Sequence, residues 1–493
     1  MSNIPTIYFH PEYDLMREDV KNVRTAILGS PFVKAQKEKL LPHPSSIDTK
    51  SPAAQMRYQA YIAGASFSEF PKQTQKTILG RMKFNSLSVD LPNKISYLVE
   101  NIDNDGTSLV GAIENAAANV AAVKWHCLVT DYRGLAGLPL EQVTKADISA
   151  SKPRASIKQY PREAVVWWQH ERMDDAMQLT FIMLKEVQLE FSRQTFTGTI
   201  AESFLILALD ENGEYYQQKI SRSTTEGYQF GEADYPTVSG ARLKWLPVEI
   251  IADEELTPGK FPLDLGMLAP ICDLALERYR VSAEYKEAMR MIAPTVNVTG
   301  MDSLAWETFK EVNGREYVIT GPLGVNMFSE GVTMDVVSAG VTLEGFERFF
   351  KNNESEVRAL GGSFATDQGK EQTATEASIG NAEQTARLVT MAYQLEAAFK
   401  RAILYAGAFE GLWSPDDIEN NLDQIELMLN KDFAQAKMAP LVRDAIRNDY
   451  LAGLIGKEEA LKQLEQGGVL ISDAETLLAI DDGGDANSLT LDE

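Results

Sequence analysis

Four histidines, two cysteines and the Gly-Lys pairs at 369–370 and 456–457 are the residues with which an enzyme built on this chain would begin. His10, His43, His126 and His170 fall in the N-terminal third, and none has the spacing of an H-E-x-x-H zinc helix. His126 stands between Trp125 and Cys127 in an apolar run, so it reads as a core histidine rather than half of a Cys–His dyad. Cys127 and Cys272 are far apart and belong to no C-x-x-C pair, which argues against a disulfide framework or a structural zinc site. Gly369-Lys370 and Gly456-Lys457 imitate the end of a phosphate loop. The required first glycine is replaced by Phe364 and Leu451, and the magnesium-binding Ser/Thr by Glu371 and Glu458. Asn101-x-Asp103-x-Asp105-Gly106 imitates the start of a calcium loop, but Ala112 stands where a bidentate carboxylate would close it. No G-x-S-x-G elbow occurs, and no G-x-G-x-x-G follows a strand. The residues predict no catalytic centre, no metal and no cofactor.

The elements behind these residues divide by texture. Helices are predicted over Tyr13–Ile27 and Ala53–Ala63, separated by Pro42 and Pro44, and over Thr107–Val123, after an Asn-Asp-Gly turn. Lys124–Thr130 reads as a strand closed by Asp131-Tyr132-Arg133-Gly134. From Ser156 to Ile251 β-branched and aromatic residues dominate, in Val165–Trp168, Leu179–Phe191 and Ser203–Leu209, and Asp210-Glu211-Asn212-Gly213 signals a hairpin. A sheet packed on the preceding helices, an α+β body, follows.

Pro262–Ile292 has Leu265, Leu268, Ile271, Leu274 and Tyr279 at helical spacing, enough for a helix of about 45 Å. Pro270 marks either a kink or the first turn of a helix that begins there. A compact α/β insertion is expected next, with strand candidates Thr295–Val298, Glu316–Thr320 and Val332–Val337. A helix over Leu343–Leu360, a polar loop (Gly361–Thr373) and a second long helix over Thr375–Leu412 complete the run. A small helical region (Pro415–Val469) and a tail with seven acids and no base (Ile471–Glu493) end the chain, the last part of that tail expected to be disordered.

At 493 residues the chain predicts roughly three domains. Its 47 basic against 71 acidic residues give −24, which either serves solubility alone or makes a surface that repels phosphate rather than grips it. No apolar run reaches the roughly 18 residues of a membrane span, and the N-terminus lacks the basic-then-apolar pattern of a signal peptide. A reducing cytoplasm, or a particle assembled there, is the expected setting.

A long helix, a small α/β insertion, a shorter helix, a polar loop and another long helix is an uncommon order. It resembles the stem, clip, second stem helix, tunnel loop and wing helix of tailed-bacteriophage portal proteins. PLDLGMLAPICDLALERYRVSAEYKEAMRMIAPTVNVTG (Pro262–Gly300) is similar to the start of the stem in one portal branch, and LGGSFATDQGKEQTATEA (Leu360–Ala377) to its tunnel loop. Here Glu371-Gln372-Thr373-Ala374 departs from the Glu-Thr-Ala start of that branch's helix. YQAYIAGASFSEFPKQTQKTILGRMKF (Tyr58–Phe84) and ENIDNDGTSL (Glu100–Leu109) fit the same branch.

The resemblance implies a wing (1–261), stem helix (262–293), clip (294–341), second stem helix (342–360), tunnel loop (361–373), wing helix (374–414), helical crown (415–470) and acidic tail (471–493). It also implies a virion component: a homo-oligomeric ring, about twelve subunits, assembled with major capsid and scaffold proteins. Double-stranded DNA would pass through it without sequence readout, driven by a separate terminase large subunit, and a head–tail adaptor would dock later. Twelve copies would carry 12 × −24, or about −288 charges, so assembly would need apolar interfaces, salt or divalent cations. Asp273, Glu277, Glu284 and Glu287 share one helix face with Arg280 and would line the channel, unless they are simply a solvated surface. Gly362, Phe364, Asp367, Gln368 and Lys370 would face DNA from the loop, the alternative being an ordinary exposed connection. Met327 and Phe328 would contact terminase or adaptor, the alternative being core packing. The rival readings are an adaptor or minor head protein, a nucleic-acid-binding scaffold, and a hydrolase built on an Asp/Glu pair hidden among the 71 acids.

Overall fold

The computed structural model describes residues 7–44, 49–82, 84, 87–133, 154–173, 176–223, 227–238, 240–292, 295–318, 326–337, 342–360, 374–414, 418–429, 431, 446–448, 450, 456–457 and 459–460. It is an α+β protein. Helix α1 (Pro11–Leu28) starts on His10, whose Nδ1 accepts the Glu12 amide at 3.3 Å, with Pro11 in the first turn. It stops at Gly29, where φ is +99° and the Glu69 carboxylate occupies the space a Cβ would need. Helices α2 (Ser30–Ala35), α3 (Pro52–Gly64) and α4 (Phe70–Met82) follow, then a short strand β1 (Ser88–Asp90). Helix α5 (Leu109–Val123) is capped by Ser108 and ends on Lys124, a non-glycine residue held at φ +82°.

That single turning residue feeds β2 (Trp125–Arg133), the centre of an antiparallel sheet with β3 (Arg154–Pro161) on one side. β2 therefore runs past the Asp131 expected to close it, because Asp131, Tyr132 and Arg133 pair with Ser156, Ala155 and Arg154. A second, five-stranded antiparallel sheet is a meander of β4 (Val165–Met173), β5 (Ala176–Ser192), β6 (Thr197–Leu209), β7 (Tyr215–Ser223) and β8 (Gly227–Phe230). The Asp210–Gly213 turn joins β6 to β7, with Asp210 Oδ1 accepting the amides of Asn212 and Glu214. A small pair, β9 (Thr237–Val238) and β10 (Ala241–Arg242), precedes β11 (Val248–Ala252), which returns to the other edge of β2. The β-rich stretch thus makes two main sheets where one was expected, tied by Tyr160 donating to Glu186 and Gln217 to Asp131.

Helix α6 spans Ala269–Ile292. It begins at Pro270's own first turn, so Pro262–Leu268 is an irregular approach ending in a turn rather than helix, and the proline starts the helix without kinking it. An antiparallel pair, β12 (Thr295–Thr299) and β13 (Thr333–Val337), flanks α7 (Ser303–Asn313), capped by Asp302 and closed by Gly314 at φ +62°. Glu316–Val318 is not a strand; the rest of that candidate lies outside the described residues. Helix α8 (Glu344–Ala359) packs on α6, and α9 (Ala374–Phe409) lies against β2 and β11. Its stripe of Leu388, Met391, Leu395, Phe399 and Ile403 is buried in the main core with α5 and the three-stranded sheet. Gly407 makes room for Trp413, which folds back and donates Nε1 to the Leu404 carbonyl.

After α9 the first part of the region expected to be helical, up to Leu429, is a turn and a strand. The described residues at 446–448, 450, 457 and 459–460 are helical, and most of the rest lies outside the described residues. A 3-10 turn (Glu419–Gln424) leads to β14 (Glu426–Met428), which pairs antiparallel with β1. Glu396 holds this return in place, taking Lys431 at 2.8 Å and Lys400 at 3.3 Å. The tail from Ile471 lies outside the described residues.

Candidate functional site

The acid stripe sits on α6, whose opposite face is anchored by Ile271, Ala275 and Tyr279 in the interior. Arg278 fixes α8 beside it: Nη1 donates to the Phe350 carbonyl at 3.0 Å, and the guanidinium covers the Phe350 and Phe70 rings. Asn353, fully enclosed, donates Nδ2 to the Leu274 carbonyl. Tyr285 closes the contact edge-on to Phe346 and Phe350. Phe346, Phe350, Asn353 and Val357 recur at helical spacing, a signal of this seam that was present in the sequence.

Asp273, Glu277 and Glu284 are exposed, and they share an arc of about 80° with Glu287. Glu287 is half-buried and engaged by Arg57 at 2.6 Å. Arg280, within the same arc, donates Nε to the Leu40 carbonyl. Burial and the nearby Asp19 raise the Asp273 carboxyl above its ordinary value, while Arg280 opposes the rise. Asp273 and Glu277 border an open cleft of about 810 Å³ that Asn22, Arg280, Glu356 and Leu360 also line. The four acids are therefore one face but not one site: two border the cleft, Glu284 faces solvent, and Glu287 is bridged to α3.

The pair Met327-Phe328 divides. Phe328 is half-buried and stacks on the buried Phe309, which stacks on Trp306, so it packs on the core of the insertion. Met327 is exposed, and Asn313 clamps its backbone with Nδ2 donating to the carbonyl and Oδ1 accepting the amide. The loop residues Gly362, Phe364, Asp367, Gln368 and Lys370 lie outside the described residues; the helices on either side end at Ala359 and begin at Ala374.

His126 is enclosed, as expected of a core histidine, but only Nε2 has a partner, Gln159 Oε1 at 3.0 Å. Burial pushes its imidazole down to about 3, so the ring is neutral. Both cysteines are buried thiols with raised pKa values for the same reason. The Asn101–Thr107 segment is a backbone-satisfied turn: Asp103 Oδ1 accepts the amides of Asp105 and Thr107, and Asn101 Oδ1 that of Gly106. Among the described residues no group of three or more His, Cys, Asp and Glu is arranged to hold a metal ion. No described helix is long and apolar enough to cross a membrane.

The residues that sequence reasoning missed are Lys124 and Arg162. Lys124 Nζ lies 2.9 Å from Asp253, 3.0 Å from Glu254 and 2.9 Å from Asp264. Arg162 donates to the carbonyls of Val123, Pro262, Leu263 and Asp264. Together they bind the approach Pro262–Leu268 to the end of α5 and so set where α6 leaves the body.

A family model described as a domain of unknown function (DUF4055) matches residues 268–410, which run from the start of α6 to the end of α9. No curated protein matches. Among solved structures, the chain is similar to one described as "Neck of empty GTA particle computed with C6 symmetry", at 12% identity and a TM-score of 0.37, over 81% of this chain and 90% of that one.

Proposed function

We propose that this chain is a structural subunit of a phage-type particle, a portal protein that forms a ring for DNA passage at one vertex. The observation that carries the reading is the element order from Ala269 to Phe409: long helix, strand–helix–strand insertion, packed second helix, connecting segment, 36-residue helix. The local likenesses of Pro262–Gly300 and Leu360–Ala377 to a portal branch support it. In this reading α6 and α8 are the stem, β12–β13 with α7 the clip, and α9 the wing helix. The ring is a passage for DNA and does no chemistry on it; a separate terminase would supply the motor. Native mass spectrometry and negative-stain imaging of the purified protein test this. Rings of about twelve copies with a central hole are expected, and a compact closed dimer would end the reading.

The acid stripe then has a measurable role. Phosphate in the channel meets Asp273, Glu277 and Glu284 with only Arg280 among them, and like charges at close range repel most strongly at low salt. Asp273→Asn, Glu277→Gln and Glu284→Gln combined should change folding by no more than about 1.5 kcal/mol, about 0.5 kcal/mol for each surface position. Assembled rings carrying them should retain duplex DNA several-fold more tightly at about 50 mM salt, with the difference fading as salt rises. Unchanged retention at low salt would put the stripe outside the channel.

A further inference from the structure

The β5–β6 hairpin outruns its own sheet. β4 pairs with β5 only up to Leu184, and β7 with β6 only from Ser203, while β5 and β6 continue together to Ser192 and Thr197. Beyond Glu186, the six residues Val187–Ser192 of β5 and their partners Thr197–Glu202 form an arm of about 20 Å in which, among the described residues, each strand pairs only with the other. One face of this arm is apolar. Val187, Leu189 and Phe191 alternate along β5, Ile200 stands opposite Leu189, and Phe196 meets the Phe191 ring edge-on at 6.4 Å. These five side chains are 56–80% exposed.

The inner half of the same face is covered. Met183, Phe204 and Ile206 form a separate small core with Phe9 and Tyr13 lying on it. The Lys185–Glu202 ion pair at 2.7 Å, joined by Arg222, separates the covered half from the uncovered one. A two-stranded arm is marginal alone in water, and two open edges beside an apolar face invite pairing. Burying the five side chains would remove roughly 500 Å² per copy, against about 800 Å² per partner in a standard interface.

We infer that this face of the β5–β6 arm docks on a second copy of the same chain. Charge selects that occupant. Residues 187–201 contain one acid and one base, Glu190 and Arg193, in a chain of net −24. Two copies repel one another across most of their surface, so they meet where the surface is neutral and apolar. A basic partner or a duplex gains nothing from a neutral patch with a single arginine. The inference rests on the ring reading only in requiring a second copy.

The test is Leu189→Glu with Phe196→Glu, followed by mass photometry and sedimentation at matched concentration. Both side chains are exposed, so the monomer should melt as the wild type does while the oligomer weakens at least tenfold. Cys127 and Cys272 are buried, so a Phe196→Cys thiol can be labelled selectively. Its maleimide reaction should slow about tenfold or more on assembly. Rings that persist in the double variant, or a Phe196→Cys thiol equally reactive in rings, overturn the docking and leave the ring reading standing. A wild type that never oligomerises removes both. Flotation of wild type but not of the double variant with anionic vesicles would reassign the arm to a lipid surface and overturn the inference.

Discussion

Lys124→Met should lower the unfolding free energy by about 3–5 kcal/mol at pH 7.5, the cost of removing one partner from a buried charge cluster. The ammonium is nearly enclosed and serves Asp253, Glu254 and Asp264 at once. Without it, three carboxylates face one another around the mostly buried Asp253. Methionine is also long and unbranched, so the strained backbone at φ +82° is left as it was and the effect reports the charge. Acidity gives the discriminating readout. Burial already holds the Asp253 carboxyl above its ordinary value, and Lys124 is what opposes that rise. In the variant the folded-state pKa moves higher still while the unfolded value stays put. A carboxyl raised on folding contributes stability at low pH and loses it as pH climbs through the folded value. The deficit of the variant should therefore shrink as pH falls from 7.5 towards 5.5. Lys124→Arg should recover most of the stability at both. A deficit indifferent to pH would mean that lost packing, not the charge cluster, is responsible.

Much of the body was legible because its signals are local. The Asn-Asp-Gly turn before an Ala-rich helix, Asp-Glu-Asn-Gly between two aromatic strands, and the Leu388–Ile403 stripe each need only a few neighbouring residues to act. Pro270 resolved by the same logic: proline fits a first turn and disrupts a helix interior, and the helix starts beside it. The failures are non-local. β1 and β14 pair across more than 330 residues, and nothing in either three-residue segment announces the other. The division of the β region into two sheets depends on β11 returning to β2, again a long-range choice.

The site was legible in part, for a related reason. Helical periodicity placed Asp273, Glu277, Glu284 and Glu287 on one face but could not foresee Arg57 reaching Glu287 from α3. Met327 and Phe328 look equivalent as sequence. Only the Trp306–Phe309–Phe328 stack separates the half-buried, stacked ring from the presented thioether. Val187, Leu189 and Phe191 have the alternation of a half-buried strand, yet no part of this chain covers them among the described residues. Alternation reports that a face is apolar, not what it packs on. Lys124 was hidden by its type, since glycine is the usual residue for a positive φ at a helix end.

Gly266→Ala should be the most damaging single-methyl change at the junction between body and α6. A Cβ there would lie 2.6 Å from the Val120 carbonyl oxygen and closer still to that of Ala121. Both are backbone atoms in the last turn of α5, so no side chain can swing aside. The approach cannot simply lift away either. Leu268 donates its amide to the same Ala121 carbonyl at 3.0 Å, and Arg162 grips Pro262, Leu263 and Asp264 upstream. Alanine's lower unfolded-state entropy would contribute at most about 1 kcal/mol in favour. Overpacking costs about 1–3 kcal/mol, and here it also breaks buried backbone hydrogen bonds worth about 1 kcal/mol each. The net expectation is a loss of about 2–4 kcal/mol. Hydrogen exchange would show where the loss falls, with faster exchange of the Leu268 and Cys272 amides, which bond to Ala121 and Leu268. If the α6 start stays as protected as in the wild type, the approach moves as a rigid piece and the junction tolerates more than its packing suggests. If protection is lost there first, the direction in which α6 leaves the body is set by this contact rather than by the helix itself.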